Sequence, residues 1–274
     1  MASFAIVLVA AVLHAGWNLV VKGSTDKLVA TWAILSIGGV AGSIVLATEG
    51  LPSSSTTPWL AASALVHVLY PLALAASSEA VDLSVAYPIA RGAAPMFVAV
   101  AAMLLLDDSI SPSGAAGLVA IVTGVVFLAK RLPTRAEMAW PLATGMTIAA
   151  YTVLDGGGVR AGDESLRFIS VVIALSSVGL TTVVLTVRGP GVMIRHLRTS
   201  MWHTIIGGLA SAGADLLVLI AARTNPLGLV AGLRETSATL GVLGAVVFLD
   251  EQVSRKHFAT VVLMVAGAAL ILAF

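Results

Sequence analysis

Long apolar runs separated by short polar turns fill this chain from end to end. A helix needs about 20 mostly apolar residues to cross a hydrocarbon core. Ten such stretches stand out, at 2–22, 28–48, 59–78, 84–106, 112–130, 137–157, 168–187, 201–222, 226–249 and 257–274. Turn and charge chemistry marks the breaks between them: Gly23–Lys27, Gly50–Pro58, Glu79–Asp82, Asp107–Pro112 and Lys130–Thr134, then Arg160–Arg167, Arg188–Thr199, Thr224–Pro226 and Asp250–Lys256. None is long enough to form a separate soluble domain. The pattern predicts an all-α integral membrane protein with ten transmembrane helices. The first stretch carries His14, Trp17 and Asn18 and lacks a basic leader, so it reads as a membrane helix and not a signal peptide.

The stretches repeat. A shift of 143 lays the fourth and fifth on the ninth and tenth: Arg91 falls on Arg234, Leu106-Asp107 on Leu249-Asp250, and Ser111 on Ser254. Asp108 meets Glu251, Ile110 meets Val253, and Gly124 meets Gly267, while Gly117 falls on Thr260. At the front of each half, His14-Ala-Gly-Trp17 runs parallel to Ile148-Ala-Ala-Tyr151, a weaker match. An internal duplication is implied, with a first repeat over 1–131 and a second over 132–274. Five helices per half is odd, so the second copy enters the membrane upside down. Inverted repeats are a recurring plan of secondary transporters, with the solute site at the midplane.

Composition supports lipid as the main solvent. Of the 274 residues, 58% are hydrophobic and 11% are charged, and the mean hydropathy is +1.02; a soluble domain carries about 25% charged residues. With no cysteine, disulfides, thiolate metal sites and cysteine nucleophiles are excluded. The net charge of +1 points away from nucleic acid, and the five histidines lack metal-ligand spacing. No cofactor is expected. One face gathers Lys22, Lys27, Lys130, Arg131, Arg135, Arg188, Arg195, Arg198, Arg255 and Lys256, and the other only Arg160, Arg167 and Arg223. That bias places both termini outside the cytoplasm of a multi-pass protein of the cell membrane, a prokaryotic inner membrane by expectation.

Charged side chains near a helix centre cost about 2.5–3.5 kcal/mol on insertion scales and face protein or water. Arg91 and Arg234 each stand roughly 5–6 Å from the middle of their stretches, and inversion sets them on opposite sides of the midplane. They are candidate ligands for a carboxylate or phosphate; the alternative is a structural role, capping carbonyls or pairing with an internal acid. Asp215, with Ser211 and Gly208 on the same face, breaks the repeat because Leu72 stands at its counterpart. It is a candidate proton-coupling carboxylate or amine ligand, or else a structural partner of an arginine. His14 and Asn18, four apart and beside Trp17, can line a cavity or bind helices together, as can His67 and Tyr70. Asp155, before Gly156–Gly158, reads as helix-end chemistry. Glu235 follows Arg234 directly and points about 100° away from it. Tyr87-Pro88 and Pro95 bracket Arg91, and proline frees carbonyls for a cavity or hinge. Gly38/Gly42 and Gly228/Gly232 suit close helix approach, and the acids Asp107, Asp108, Asp250 and Glu251 read as solvated exits.

His14-Ala-Gly-Trp17-Asn18 with Lys22, and Ala86-Tyr87-Pro88-Ile89-Ala90-Arg91-Gly92 with Pro95, resemble EamA-like members of the drug/metabolite transporter superfamily. Asp108-Ser-Ile110 and Glu251-Gln-Val253, each followed by a glycine (Gly124, Gly267), look like that family's repeated Glu-x-Leu…Gly pattern, with Asp108 in place of the usual Glu. The resemblance spans the whole chain and implies ten helices, a central cavity made by both halves, and alternating access without ATP hydrolysis. There is no HExxH or GxSxG motif, so an enzyme is not expected. The expected function is secondary transport of a small polar, anionic or zwitterionic, amino-acid-like metabolite, with protons a candidate coupling ion. Arg91 and Arg234 would bind acidic groups, Asp215 would answer protons or an amine, and His14, Asn18, Trp17 and Tyr87 would shape the cavity. The alternatives are export of cationic or apolar drugs, a channel, or a non-transporting scaffold.

Overall fold

A computed structural model of the chain describes residues 2–129, 131–162, 164–240 and 255–273. Those residues are all-α: α1 (Ala2–Lys22), α2 (Lys27–Glu49), α3 (Thr57–Ala80), α4 (Leu83–Leu105), α5 (Pro112–Phe127), α6 (Ala139–Gly162), α7 (Ser165–Arg188), α8 (Pro190–Ala222), α9 (Leu227–Arg234) and α10 (Arg255–Leu272). Among the described residues, α1, α2, α3, α4, α7 and α8 contain stretches long and apolar enough to cross a membrane, and α5 and α10 carry shorter apolar ones. Large side chains face outward around the bundle; Leu104, Val178, Ile206 and Phe258 are 65–77% exposed. A surface of that kind is stable against lipid and unstable against water, which fits an integral membrane protein.

Three elements depart from the expected spans. The sixth helix does not stop at residue 157 but runs on to Gly162. Its three glycines are sockets: a Cβ at Gly156, Gly157 or Gly158 would strike Leu227, Trp59 or Phe168, each from a different helix. The connection before residue 201 is itself helical, with a break at Ser200 (φ −128°, ψ 20°), and its Met193 packs beside Trp32 and Val184 at the ends of α2 and α7. The ninth helix breaks after Arg234. Glu235 and Thr236 switch to i−3 hydrogen bonds, to Gly232 and Leu233, and residues 237–240 are helical again. The end of that stretch, 241–249, and the exit Asp250-Glu251-Gln252-Val253 lie outside the described residues.

Helices pack through small residues. Gly38, Gly39 and Gly42 of α2 lie against Ile173, Ser177 and Ser170 of α7, and Trp32 donates to Thr181 Oγ1 at 2.8 Å across the same seam. Gly228 and Gly232 lie against Ala99 of α4 and Leu118 of α5. Between α5 and α10, Gly117 faces the carbonyl of Gly267, while Thr260 donates to Gly124 O at 3.1 Å. A Cβ at Gly117 would sit 2.6 Å from Gly267 O, so a larger side chain must separate the two helices. Gly117→Val should therefore lower stability by about 1–3 kcal/mol, measured as an earlier melting transition in detergent; an unchanged transition would sink this account of the seam.

The connections gather into two groups. Arg188, the last residue of α7, donates from Nε to Asp26 Oδ2, just before α2, at 2.8 Å. Partial burial pushes the Asp26 carboxyl up, but the N–H groups of Val29 and Leu28 and the Arg188 guanidinium outweigh it and hold it below its ordinary range. At the other end, Glu164 before α7 accepts from Ser53 N before α3, and Ser55 Oγ donates to Ala161 O. Arg160 reaches Asp108 after α4 and the carbonyls of Ala222 and Asn225 after α8. Odd-numbered connections thus bond to odd, and even to even.

Candidate functional site

Two polar clusters are buried among these helices. The first is built on Arg91, which α4 carries eight residues from its start and which is 4% exposed. Its Nε donates to Glu235 Oε2 at 2.8 Å, and Glu235 is 1% exposed. Its guanidinium lies 5.8 Å from the centre of the Tyr87 ring, a cation–π distance. Its Nη2 lies 3.2 Å from His14 Nε2, while Trp17 Nε1 lies 3.3 Å from His14 Nδ1. A neutral imidazole has one acceptor nitrogen. The charged donor takes it, so Trp17 keeps an edge-to-face contact with the ring, at 82° and 5.1 Å. Asn18 Nδ2 donates to the His14 carbonyl of its own helix at 2.8 Å.

The second cluster surrounds a small cavity with room for about one or two water molecules. Arg234 and Asp215 line it, with Tyr151, Thr152 and Asp155 of α6, His67 of α3, and an apolar wall that includes Ile169, Val218 and Leu227. Arg234 is 5% exposed, and its Nε has no hydrogen-bond partner among the described residues. Tyr151 stands beside that guanidinium and also packs between His67, at 4.4 Å, and Tyr70, at 5.9 Å. Asp215 makes no direct ion pair or hydrogen bond to any described residue. Asp155 accepts a short hydrogen bond from Ser63 Oγ and lies 3.7 Å from His67 Nε2.

The break in the ninth helix separates the clusters. Successive helical residues point about 100° apart, so Glu235 meets Arg91 while Arg234 faces the cavity. Of the seven residues singled out in the sequence, Arg234 and Asp215 line the cavity. Arg91, His14, Trp17 and Tyr87 form the ion-pair cluster, and Asn18 bonds its own backbone. Asp155, read from the sequence as helix-end chemistry, is instead 5% exposed inside the bundle, because α6 extends seven residues past it. Asp108, read as a solvated exit, is bonded on both oxygens. It accepts from Arg160 Nη1 at 2.7 Å and from Leu227 N at 2.6 Å. Asp107 takes a left-handed conformation (φ 55°) just before it and turns the chain there.

Arg160 joins three segments at one end of the bundle. Its three bonds, to Ala222 O at 2.9 Å, Asn225 O at 2.8 Å and Asp108, tie α6, the α8–α9 connection and the α4–α5 connection together. Ala222 and Leu227, directly under those bonds, are cavity walls. Among the described residues no cluster of three His, Cys, Asp or Glu could hold a metal.

No family model and no curated protein matches the chain. Solved structures do. A protein described only as "Crystal structure of protein" is similar over 98% of this chain and 96% of its own, with a TM-score of 0.80 and 17% identity. That likeness establishes the fold over essentially the whole length of both chains.

Proposed function

We propose that this chain is a secondary transporter of the EamA-like family in the drug/metabolite transporter superfamily, with ten membrane-spanning helices in two inverted halves. Helix pairing supports the inversion: α1 packs on α8 as α6 packs on α3, α2 on α8 as α7 on α3, and α4 on α6 as α9 on α1. The pairs α2–α7, α4–α9 and α5–α10 are their own mates in such an arrangement. The α5–α10 seam follows it to the residue, since Gly117–Gly267 and Thr260–Gly124 exchange under the 143 shift. The grouping of odd with odd and even with even connections supports helices that all cross. The Lys/Arg count puts the Arg160 end, and both termini, outside the cytoplasm of a cell-membrane protein.

The observation that carries the reading is Arg234. A buried guanidinium with an unsatisfied donor is costly, and this one faces a cavity at a helix break, where transporters bind solutes. A carboxylate admitted as the cavity widens would satisfy it. Arg91 is already neutralised by Glu235, so the solute site rests on one arginine and not two. Asp215 faces the same space and suits an amine, so the solute class is a small polar anion or zwitterion of amino-acid type.

Melting of the purified protein against amino acids, organic acids, sugar phosphates and cationic drugs tests this. A ligand at a hundred times its Kd adds about 2.7 kcal/mol to the folded state. Stabilisation by amino acids or organic acids is expected, and Arg234→Gln should abolish it. The two acids and the tyrosines around the cavity favour a second reading, export of cationic drugs. Stabilisation by cations alone, lost in Asp215→Asn and kept in Arg234→Gln, would establish that reading in place of the first.

A further inference from the structure

The buried charges do not balance. Arg91 and Glu235 cancel, which leaves one guanidinium, Arg234, against two carboxylates, Asp155 and Asp215. A net charge in a low-dielectric interior is expensive, so the site calls for one further positive charge. We propose that Asp155, Ser63 and His67 form a binding site for that charge as a proton, separate from the solute-facing Arg234 and Asp215. The inference deepens the transporter reading and rests on it for its biological use.

The geometry indicates where the proton goes. Ser63 Oγ spends its hydrogen on Asp155 Oδ1. His67 Nδ1 lies 3.1 Å from Ser63 Oγ and 3.0 Å from the Ser63 carbonyl, both of them acceptors to it, so the hydrogen of a neutral ring sits on Nδ1. Nε2 is then a bare lone pair, 3.7 Å from Asp155 Oδ2. Two acceptors face each other with no hydrogen between them. One added proton on Nε2 converts that opposition into a His67–Asp155 ion pair, with no other bond made or broken. The cavity gives it a route in from the solute side, since both His67 and Asp155 line that space.

The other groups around Asp155 are already spoken for. From α3 come Ser63, His67 and Tyr70, from α8 Asp215, from α9 Arg234, and from α6 itself Tyr151. The α4 charge, Arg91, is held by Glu235, and α7 presents Phe168 and Ile169, which are apolar. Arg234 is the only other cation at the cavity among the described residues, and Asp215 shares it. A second cation for Asp155 must therefore arrive from outside, and His67 is placed to hold it.

Infrared difference spectra of the detergent-purified full chain, taken between neutral and acid pH, test the site with the proton as probe. The His67 ring band is the part that His67→Gln removes. It should vanish together with one carboxyl band in Asp155→Asn, shift in Ser63→Ala, and persist in Asp215→Asn. A His67 band left intact in Asp155→Asn, or a carboxyl band lost in Asp215→Asn instead, overturns the proposal. If Asp155→Asn does not fold, Ser63→Ala decides, because an unshifted band pair means Ser63 orients no proton. Amino-acid stabilisation on the same samples separates the two readings. Retained stabilisation with unpaired bands overturns the proton site alone. Paired bands with no stabilisation by any solute sustain the proton site and overturn the transporter.

Discussion

Glu235→Gln should lower stability by about 3–5 kcal/mol, the usual cost of removing one partner from a buried ion pair. Glu235 is 1% exposed and its Oε2 accepts from Arg91 Nε at 2.8 Å. The variant keeps the shape of the side chain and removes the charge. Arg91 is then left as a cation at 4% exposure, facing a neutral imidazole and the Tyr87 ring, neither of which can neutralise it. Arg91→Gln should cost a similar amount by stranding the carboxylate. The double variant Arg91→Gln/Glu235→Gln should be more stable than either single one, because no charge remains unpaired. A double-mutant cycle on unfolding in mixed micelles measures this directly. Additive losses would mean that the pair is not coupled. They would return Arg91 to the proposed solute site, where the sequence pattern sets it across the midplane from Arg234.

That pairing shows what the sequence can and cannot reveal here. The helix positions were legible because turn and charged residues fall where the apolar runs end. Each of the ten apolar stretches corresponds to one of α1 to α10. The extension of α6 was hidden, because Gly156–Gly158 reads as a breaker until Leu227, Trp59 and Phe168 are seen to fill the gaps. The helix at 190–199 was hidden behind Gly189-Pro190 and its arginines, which look like a loop. Arg234 and Asp215 were legible as intramembrane charges, since such residues are costly wherever they point. Glu235 was not. It is neighbour to one arginine and partner to the other, and a contact between residues 144 apart in the chain leaves no hydropathy signal. The Asp155 cluster had a signal that went unread. Ser63 and His67 stand four apart, as do Ser211 and Asp215, and each member of one pair lies 148 residues from its mate in the other. Both His67 and Asp215 line the cavity. The shift of 143, anchored on the arginines, set Leu72 opposite Asp215 and concealed this.

The second large effect is expected at Arg160 if its bonds hold shut the end of the cavity walled by Ala222 and Leu227. Its guanidinium makes three bonds to three separate segments, one of them to a carboxylate that also caps the start of α9 through Leu227 N. Hydrogen bonds to charged groups contribute about 1.5–3 kcal/mol each when buried, and less here because Arg160 is 21% exposed. A net loss of about 1.5–3 kcal/mol on Arg160→Ala would shift the balance toward an open end by roughly 10- to 100-fold. Because the chain contains no cysteine, one introduced at Val218 on the cavity wall reports without background. Its modification by a membrane-impermeant maleimide should quicken by at least about tenfold when Arg160 becomes Ala. The gain should appear in intact cells and not in inverted vesicles if Arg160 lies outside, as the Lys/Arg count requires. Asp108→Asn should give much of the same gain, and the double variant little more, since both act on one closure. An unchanged rate from either face would mean that Arg160 braces the folded bundle without closing it. A gain confined to inverted vesicles would keep the closure and reverse the orientation. The experiment therefore separates the closing of the cavity, which rests on hydrogen bonds, from the sidedness of the chain, which rests only on where its positive charges fall.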